Sequence, residues 1–466
     1  MLPILKSRIF SIAAPFYRNE AFRRTFPSLR RIHCSPATMS VRSGKGAFEK
    51  VRPRLQRVLA LLLYFFDHRR PMKKAASVSQ RKNDRAVFRL LLFLYSSSLL
   101  LFLALGSVGG AQTSPATAPA NPTQDYLVYV VCESADKIVL IRFGPTGAKI
   151  EAEMRTGLMP MDVNGPHGIA VSPDKKFFYV SEGHGRPDGS VWKYRAGTDE
   201  VIKYTSLGLF PATTDITPDG SFIYVANANF HGDMVPSSIS VVATDQMIEV
   251  KRIPTCTMPH GSRLNHDGTK HYSVCMMDDM LVEIDTRKFA VDRYFMLSKG
   301  KEMGMAGAPD PHAMPDHKSA TCTPTWAQPS NDGSIIYVAC NQSNEIVAIK
   351  TDTWTLARRF PAGTGVYNLA MTKDGRLIAT NKRGQSVSIF DPVTGRELAK
   401  IPTQRKIVHG AVVTPDDRYA FISVEGVGSE PGTVEVIDLS SLKTVATVDV
   451  GPQAAGIDFW KMEPSK

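Results

Sequence analysis

Pro166-His167-Gly168-Ile169-Ala170-Val171-Ser172-Pro173-Asp174, followed by Phe177-Phe178-Tyr179-Val180, is a phrase this 466-residue chain keeps repeating. An apolar run leads into a polar turn with Asp, and a second apolar run carries Tyr-Val. Further copies centre on Asp219-Gly220, Asp267-Gly268, Asp332-Gly333, Asp374-Gly375 and Asp416-Asp417. From Asp174 the turn aspartates step by 45, 48, 65, 42 and 42 residues. Two strands flanking a turn, repeated at that period, predict propeller blades; a coiled coil or a hexapeptide β-helix has a far shorter period.

Each repeat is expected to start with a strand near the axis, turn at the Asp motif and return as the Tyr-Val strand. Two outer strands follow, as in Glu345–Lys350 and Thr355–Phe360, or Ser386–Asp391 and Glu397–Ile401. Alternation such as Val387-Ser388-Ile389-Phe390 suits half-buried strands. Pro-Asp-Gly and Lys-Asp-Gly suit the hairpin turns, because Gly accepts positive φ and Asp closes local hydrogen bonds. Inner strands begin near His167, Ala212, His260, Thr325, Tyr367 and His409, and a seventh near Ala454. Tyr126–Val131 and Lys137–Phe143 lack an inner partner. Tyr129-Val130-Val131-Cys132 matches the second-strand phrase Tyr337-Val338-Ala339-Cys340. The expected fold is therefore all-β: a seven-bladed β-propeller over 125–466, closed by N- and C-terminal strands in one blade.

The phrases Gly168-Ile169-Ala170-Val171-Ser172-Pro173-Asp174, Tyr224-Val225-Ala226-Asn227 and Val434-Glu435-Val436-Ile437-Asp438 resemble the YVTN-repeat β-propeller family over about residues 125–461. The resemblance implies the fold and leaves the activity open. The same architecture recurs in nitrous oxide reductase, cytochrome cd1-type proteins, lactonases and plain binding modules.

The net charge of +12 misleads. Residues 1–111 hold 21 Lys+Arg against 4 Asp+Glu, and the remaining 355 hold 35 against 40. The body is therefore slightly acidic, and a nucleic-acid partner is excluded as a reading of charge. Lys73, Lys74, Arg81, Lys82, Arg85 and Arg89 precede the uncharged run Leu90–Leu105, and Gly109-Gly110-Ala111 offers a cleavage site before Gln112. Residues 72–111 thus read as a signal peptide, sending the protein to the periplasm or outside the cell. A retained anchor is the alternative, although the run is short for a bilayer span. Residues 1–71 are an Arg-rich upstream extension: either a targeting segment, or a stretch upstream of a true start at Met72. Residues 112–124, rich in Thr, Ala and Pro, read as a flexible linker.

Counting seven residues back from each turn Asp gives the mouth position of each blade: His167, Ala212, His260, Thr325, Tyr367 and His409. Three His at one repeat position suggest a site for a metal or an anionic ligand, or polar lining of a wet channel. With Trp326, these side chains form the expected ligand site, for a small molecule or a protein. The three His blades are not adjacent, so co-ligation by all three is expected to need a wide bridging species. His231 is expected on a loop away from the mouth.

Eight of the 15 Met in the body fall between Met258 and Met314. The longest step comes from an insertion at about 298–323, which carries His312, Met314 and His317 and is expected to sit over the mouth beside His260. Thioether, thiolate and imidazole together favour copper, so His260, His312, His317 and Met314 are the candidate metal ligands and copper the candidate cofactor. The alternative is a structural lid with Met filling gaps. Cys256 and Cys322 precede inner strands, while Cys275, Cys340 and Cys132 share a place near the end of a second strand. Cys256–Cys275 and Cys322–Cys340 are therefore candidate disulfides, with metal thiolate ligation as the rival reading. Gly165-Pro166-His167 and Glu182 vaguely resemble lactonase propellers, but later blades give Pro259-His260-Gly261 and Val408-His409-Gly410 where an Arg is expected. The leading reading is an exported, monomeric binding protein without a membrane span after cleavage. A copper-dependent periplasmic redox protein and a lactonase-like hydrolase are the alternatives.

Overall fold

The computed structural model describes residues 121–465 apart from 158, 160–162, 185–187 and 311–319. The signal peptide, the upstream extension, most of the linker, and His312, Met314 and His317 lie outside the described residues. What is described forms seven antiparallel sheets. Blade 1 runs Pro166–Val171, Phe177–Glu182, Ser190–Arg195 and Val201–Ser206. Blades 2 to 6 repeat the pattern from inner strands Pro211–Ile216, Pro259–Leu264, Pro324–Pro329, Val366–Met371 and Val408–Val413. Blade 7 takes its inner strand, Ala454–Pro464, from the C-terminus and the other three, Gln124–Cys132, Lys137–Gly144 and Gly147–Arg155, from the N-terminal end.

The repeat phrase explains these elements. In the hairpin turns, Ser172 Oγ donates to Asp174 at 2.6 Å and Thr217 Oγ1 to Asp219 at 2.6 Å, while each Asp also accepts the backbone N–H two residues on. The apolar runs fill the seams between blades. Between blades 7 and 1, Tyr129 stacks on Phe178 and Phe178 on Tyr194, with centroids 4.5 and 5.0 Å apart. Between blades 6 and 7, Tyr419 meets Tyr126 and Phe143 edge-on. Each such pair contributes about 0.5–1.5 kcal/mol beyond the area it buries. Outermost strands such as Val201–Ser206 are half-exposed, as the rim of a propeller requires.

The seventh blade is the closure. Gln124–Cys132 lies between Ala454–Pro464 and Lys137–Gly144, so neither chain end leaves an open inner edge. Arg142 clasps it: Nη1 reaches Asp125 at 2.7 Å and Glu463 at 2.8 Å, and Nη2 reaches Glu151 at 2.9 Å. From the third strand, one guanidinium thus joins carboxylates on the blade's other three: Asp125 on the second, Glu463 on the C-terminal inner strand and Glu151 on the outermost.

Cys256–Cys275 and Cys322–Cys340 are disulfides, with Cα atoms 5.8 and 4.5 Å apart, and Cys132 is a buried free thiol. The insertion departs from expectation. Its described part forms a fifth strand, Met303–Ala306, on the outer edge of blade 3, farthest from the axis, so these residues do not cover the mouth. The physical reason is an available edge: the outermost strand Ala290–Met296 offers unpaired backbone groups, and Met303–Ala306 satisfies them. Among the described residues no helix is long and apolar enough to cross a membrane.

Arg142→Ala strands the buried Asp125 without its partner. We expect a loss of about 3 kcal/mol in denaturant unfolding, the usual cost of breaking a buried pair. An unchanged midpoint would show that closure does not depend on this clasp.

Candidate functional site

The axial mouth is built by one repeated irregularity. In blade 1, Pro166 pairs with Glu182 but Ile169 pairs with Val180, so the inner strand carries one extra residue at His167-Gly168. The same β-bulge follows Pro211, Pro259, Pro324, Val366, Val408 and Ala454. A bulge bends its strand and re-aims a side chain. Here it falls on each mouth residue, and it places the seventh at Ala455.

Backbones meet closely at this level. A Cβ on Gly168 would lie 2.3 Å from the Ala212 carbonyl oxygen, and one on Gly456 would lie 2.5 Å from that of His167, so only glycine fits there. The crowded carbonyls are caught by side chains of the preceding blade. Ser181 donates to Ala212 O, Thr213 to His260 O, and His260 Nδ1 to Thr325 O at 2.9 Å. Thr325 donates to Tyr367 O, Thr380 to His409 O, and Ser423 to Ala455 O.

His167 lies 6.0 Å from His260 and 5.5 Å from His409, centroid to centroid, so the non-adjacent blades do bring these imidazoles together. The three rings are not equivalent. His260 holds a backbone carbonyl with Nδ1, and its Nε2 accepts from the Tyr367 hydroxyl at 3.2 Å. Burial drives its pKa down to about 3, so it is a neutral brace with both nitrogens engaged. His409 is also pushed well below the usual histidine range, by burial and then by Lys382. Its ring leans on the Ala455 carbonyl, while Nε2 has no hydrogen-bond partner and Glu425 Oε1 stands 3.9 Å from it. His167 gives Nδ1 to Glu133 Oε2 at 2.7 Å, leaving a buried Nε2 without a partner.

Above these rings opens a pocket of about 740 Å³, in the range of small-molecule sites. Glu133 projects into it from the turn after Gln124–Cys132 and also accepts His184 Nε2 at 3.2 Å. Burial opposes its charge, but His167 and His184, by charge and hydrogen bonding, hold its pKa down at about 2. The hydrogen bond to Glu133 in turn raises His184 above the ordinary value, against its own burial. On the other side Lys382 pairs with Glu425 at 2.6 Å and lies 4.2 Å over the Tyr367 ring. Phe210 and Phe230 form an aromatic wall with centroids 4.8 Å apart.

His167, His409 and Tyr367 thus converge as the spacing predicts. Thr325 is turned into a carbonyl brace, and Trp326 lines a smaller chamber below the rings. His231 differs from expectation: it lines the pocket, 5.0 Å from the His184 ring, because the loop after Phe222–Asn227 folds inward. Of the proposed metal ligands only His260 is described. Among the described residues no group of three or more His, Cys, Asp or Glu is placed to hold a metal ion. The repeat count missed Glu133, Met276, Lys382 and Glu425. All four stand one residue beyond the end of a second strand, a position the Tyr-Val phrase could have indexed.

Glu133→Gln tests the pairing. Its carboxylate is depressed, so its contribution to stability is present above about 4.5 and is lost as pH falls towards about 2. His184 is raised, so its contribution is present below 6.5 and is lost as pH rises through its folded value. The variant should lower the His184 titration midpoint, read from the imidazole NMR signals. An unmoved midpoint would mean that the two do not interact.

The family model described as "Lactonase, 7-bladed beta-propeller" matches residues 120–235, a stretch that includes Glu133, His167 and His184. No curated protein matches the chain. Solved structures similar to it include hydrazine synthase of Kuenenia stuttgartiensis, at 19% identity and a TM-score of 0.51, covering 66% of this chain and 100% of that one. A putative 6-phosphogluconolactonase from Bacteroides uniformis matches at 16% identity and 0.53, covering 72% and 99%. A functionally unknown protein from Desulfotomaculum acetoxidans matches at 15% and 0.55, covering 72% and 98%. These likenesses are of fold. With the match over residues 120–235, they make the chain a seven-bladed β-propeller similar to those of the lactonase type.

Proposed function

We propose that the protein is an exported binding protein that holds a small polar molecule in the axial mouth. The observation that carries this reading is the buried Nε2 of His167, without a partner under an open pocket, with the unpartnered Nε2 of His409 in the ring beside it. Buried polar atoms without partners cost stability unless something meets them. His167 Nδ1 is turned onto Glu133 Oε2, which leaves Nε2 for a ligand. A ligand hydroxyl or N–H suits that position, an acceptor oxygen suits Lys382, and Phe210 and Phe230 suit an apolar body. Export is supported by the leader sequence and by the two disulfides.

A thermal-shift screen of polar metabolites on the full chain tests this reading. Hits should stabilise the wild type, and His409→Ala and His167→Ala should each lose the shift. His266→Ala, on an exposed turn, should keep it. Shifts that survive both axial substitutions would place binding elsewhere.

A hydrolytic reading is favoured by one observation: the lactonase match covers the Glu133–His167 pair, which is built like a general base with its orienting carboxylate. Lactone and ester turnover should then fall about 100-fold or more in His167→Ala, in line with general-base catalysis. Absence of turnover in the wild type would leave binding alone.

A further inference from the structure

A second chamber lies on the axis below the imidazoles. It has a volume of about 30 Å³, room for one or two water-sized species. Orphaned polar atoms collect around it. Thr214 Oγ1, Trp326 Nε1 and Asn368 Oδ1 all line it, all are buried, and none has a hydrogen-bond partner. The three residues are 6%, 5% and 3% exposed, so solvent does not satisfy them from outside. His167 and His409 also line this chamber.

Arg263 supplies the charge. Its guanidinium lies 4.8 Å over the Trp326 ring, and Nη1 donates to the Ser262 carbonyl at 3.1 Å. Among the described residues no carboxylate stands within ion-pair distance of it. Asp215 and Asp458 line the wider cavity of about 250 Å³ that shares Arg263, Thr214, Ile169 and Ile457 with the chamber. Both aspartates are turned onto backbone N–H groups: Asp215 takes Leu264 at 2.7 Å and Ile216 at 3.0 Å, while Asp458 takes Val171 at 2.7 Å and Phe459 at 2.8 Å. Burial raises the pKa of each, while the Arg263 charge acts in the opposite direction on both.

We propose that this chamber binds a small monovalent anion of about the size of chloride. The Arg263 guanidinium and the Trp326 N–H are donors only, and the Thr214 hydroxyl adds a third donor. The Asn368 amide, whose two ends are interchangeable by rotation, turns its NH2 group inward. A half-buried guanidinium beside a buried, donor-only indole N–H is better satisfied by negative charge than by water. The volume excludes phosphate-sized ions. The Arg263, Trp326 and Thr214 donors line the chamber and no part of the mouth pocket, so the inference does not rest on what the mouth binds.

Crystals of the full chain soaked in bromide give the direct test. An anomalous peak in the chamber, in contact with Arg263 and Trp326 Nε1, is expected. In solution, replacing gluconate by chloride at constant ionic strength should raise the melting temperature of the wild type. Arg263→Gln should weaken this response about tenfold or more, and Arg263→Lys, which keeps the charge, should retain part of it. If Arg263→Gln does not fold, Trp326→Phe is read instead, since it removes one N–H at similar shape. Water alone in the chamber, bromide only on surface residues, or an equal chloride response in wild type and variants would overturn the proposal.

Discussion

Seven backbones must pass one axis without colliding, and the bulged first turn of each inner strand is where that is solved. The extra residue rotates a carbonyl sideways, a glycine such as Gly168 or Gly456 clears the space, and a hydroxyl or imidazole of the preceding blade takes the carbonyl. Ser181, Thr213, His260, Thr325, Thr380 and Ser423 do this in succession. Without them six buried acceptors would lie against one another in a low-dielectric core, each costing about 1–3 kcal/mol. Polar residues at the axis are therefore first a requirement of the architecture, and only those left over are free for a ligand.

That division separates the three axial histidines. His260 is consumed by the ring: one nitrogen holds Thr325 O and the other receives Tyr367. His167 Nε2 and His409 Nε2 are left over, and the groups near them are arranged as two pairs across the mouth, Glu133 with His167 and His184, and Lys382 with Glu425. Each pair keeps an ionised group stable near an apolar wall. The mouth is therefore polarised yet close to neutral, which suits a dipolar ligand better than a strongly charged one.

The period of the Asp turns made the blade number, the closure and the two disulfides legible, because each depends on strand register alone. The same counting found His167, Tyr367 and His409. It could not separate His260 from its neighbours, since the difference lies in a carbonyl from another blade, 65 residues away in sequence. It also misplaced His231 and the described part of the insertion, because loop direction and edge pairing carry no periodic signal. Glu133 was hidden for another reason: it follows the one second strand whose inner strand lies at the far end of the chain.

That last feature ties the pocket to the seam where the ring closes. The backbone N–H of Glu133 donates to the Gln453 carbonyl at 3.0 Å, and its side chain reaches across to His167 in blade 1. Glu133, which holds His167, thus comes from the second strand of blade 7 and is itself held beside that blade's inner strand. Parting the two would release both contacts, so the shape of the pocket reports whether the circle is shut.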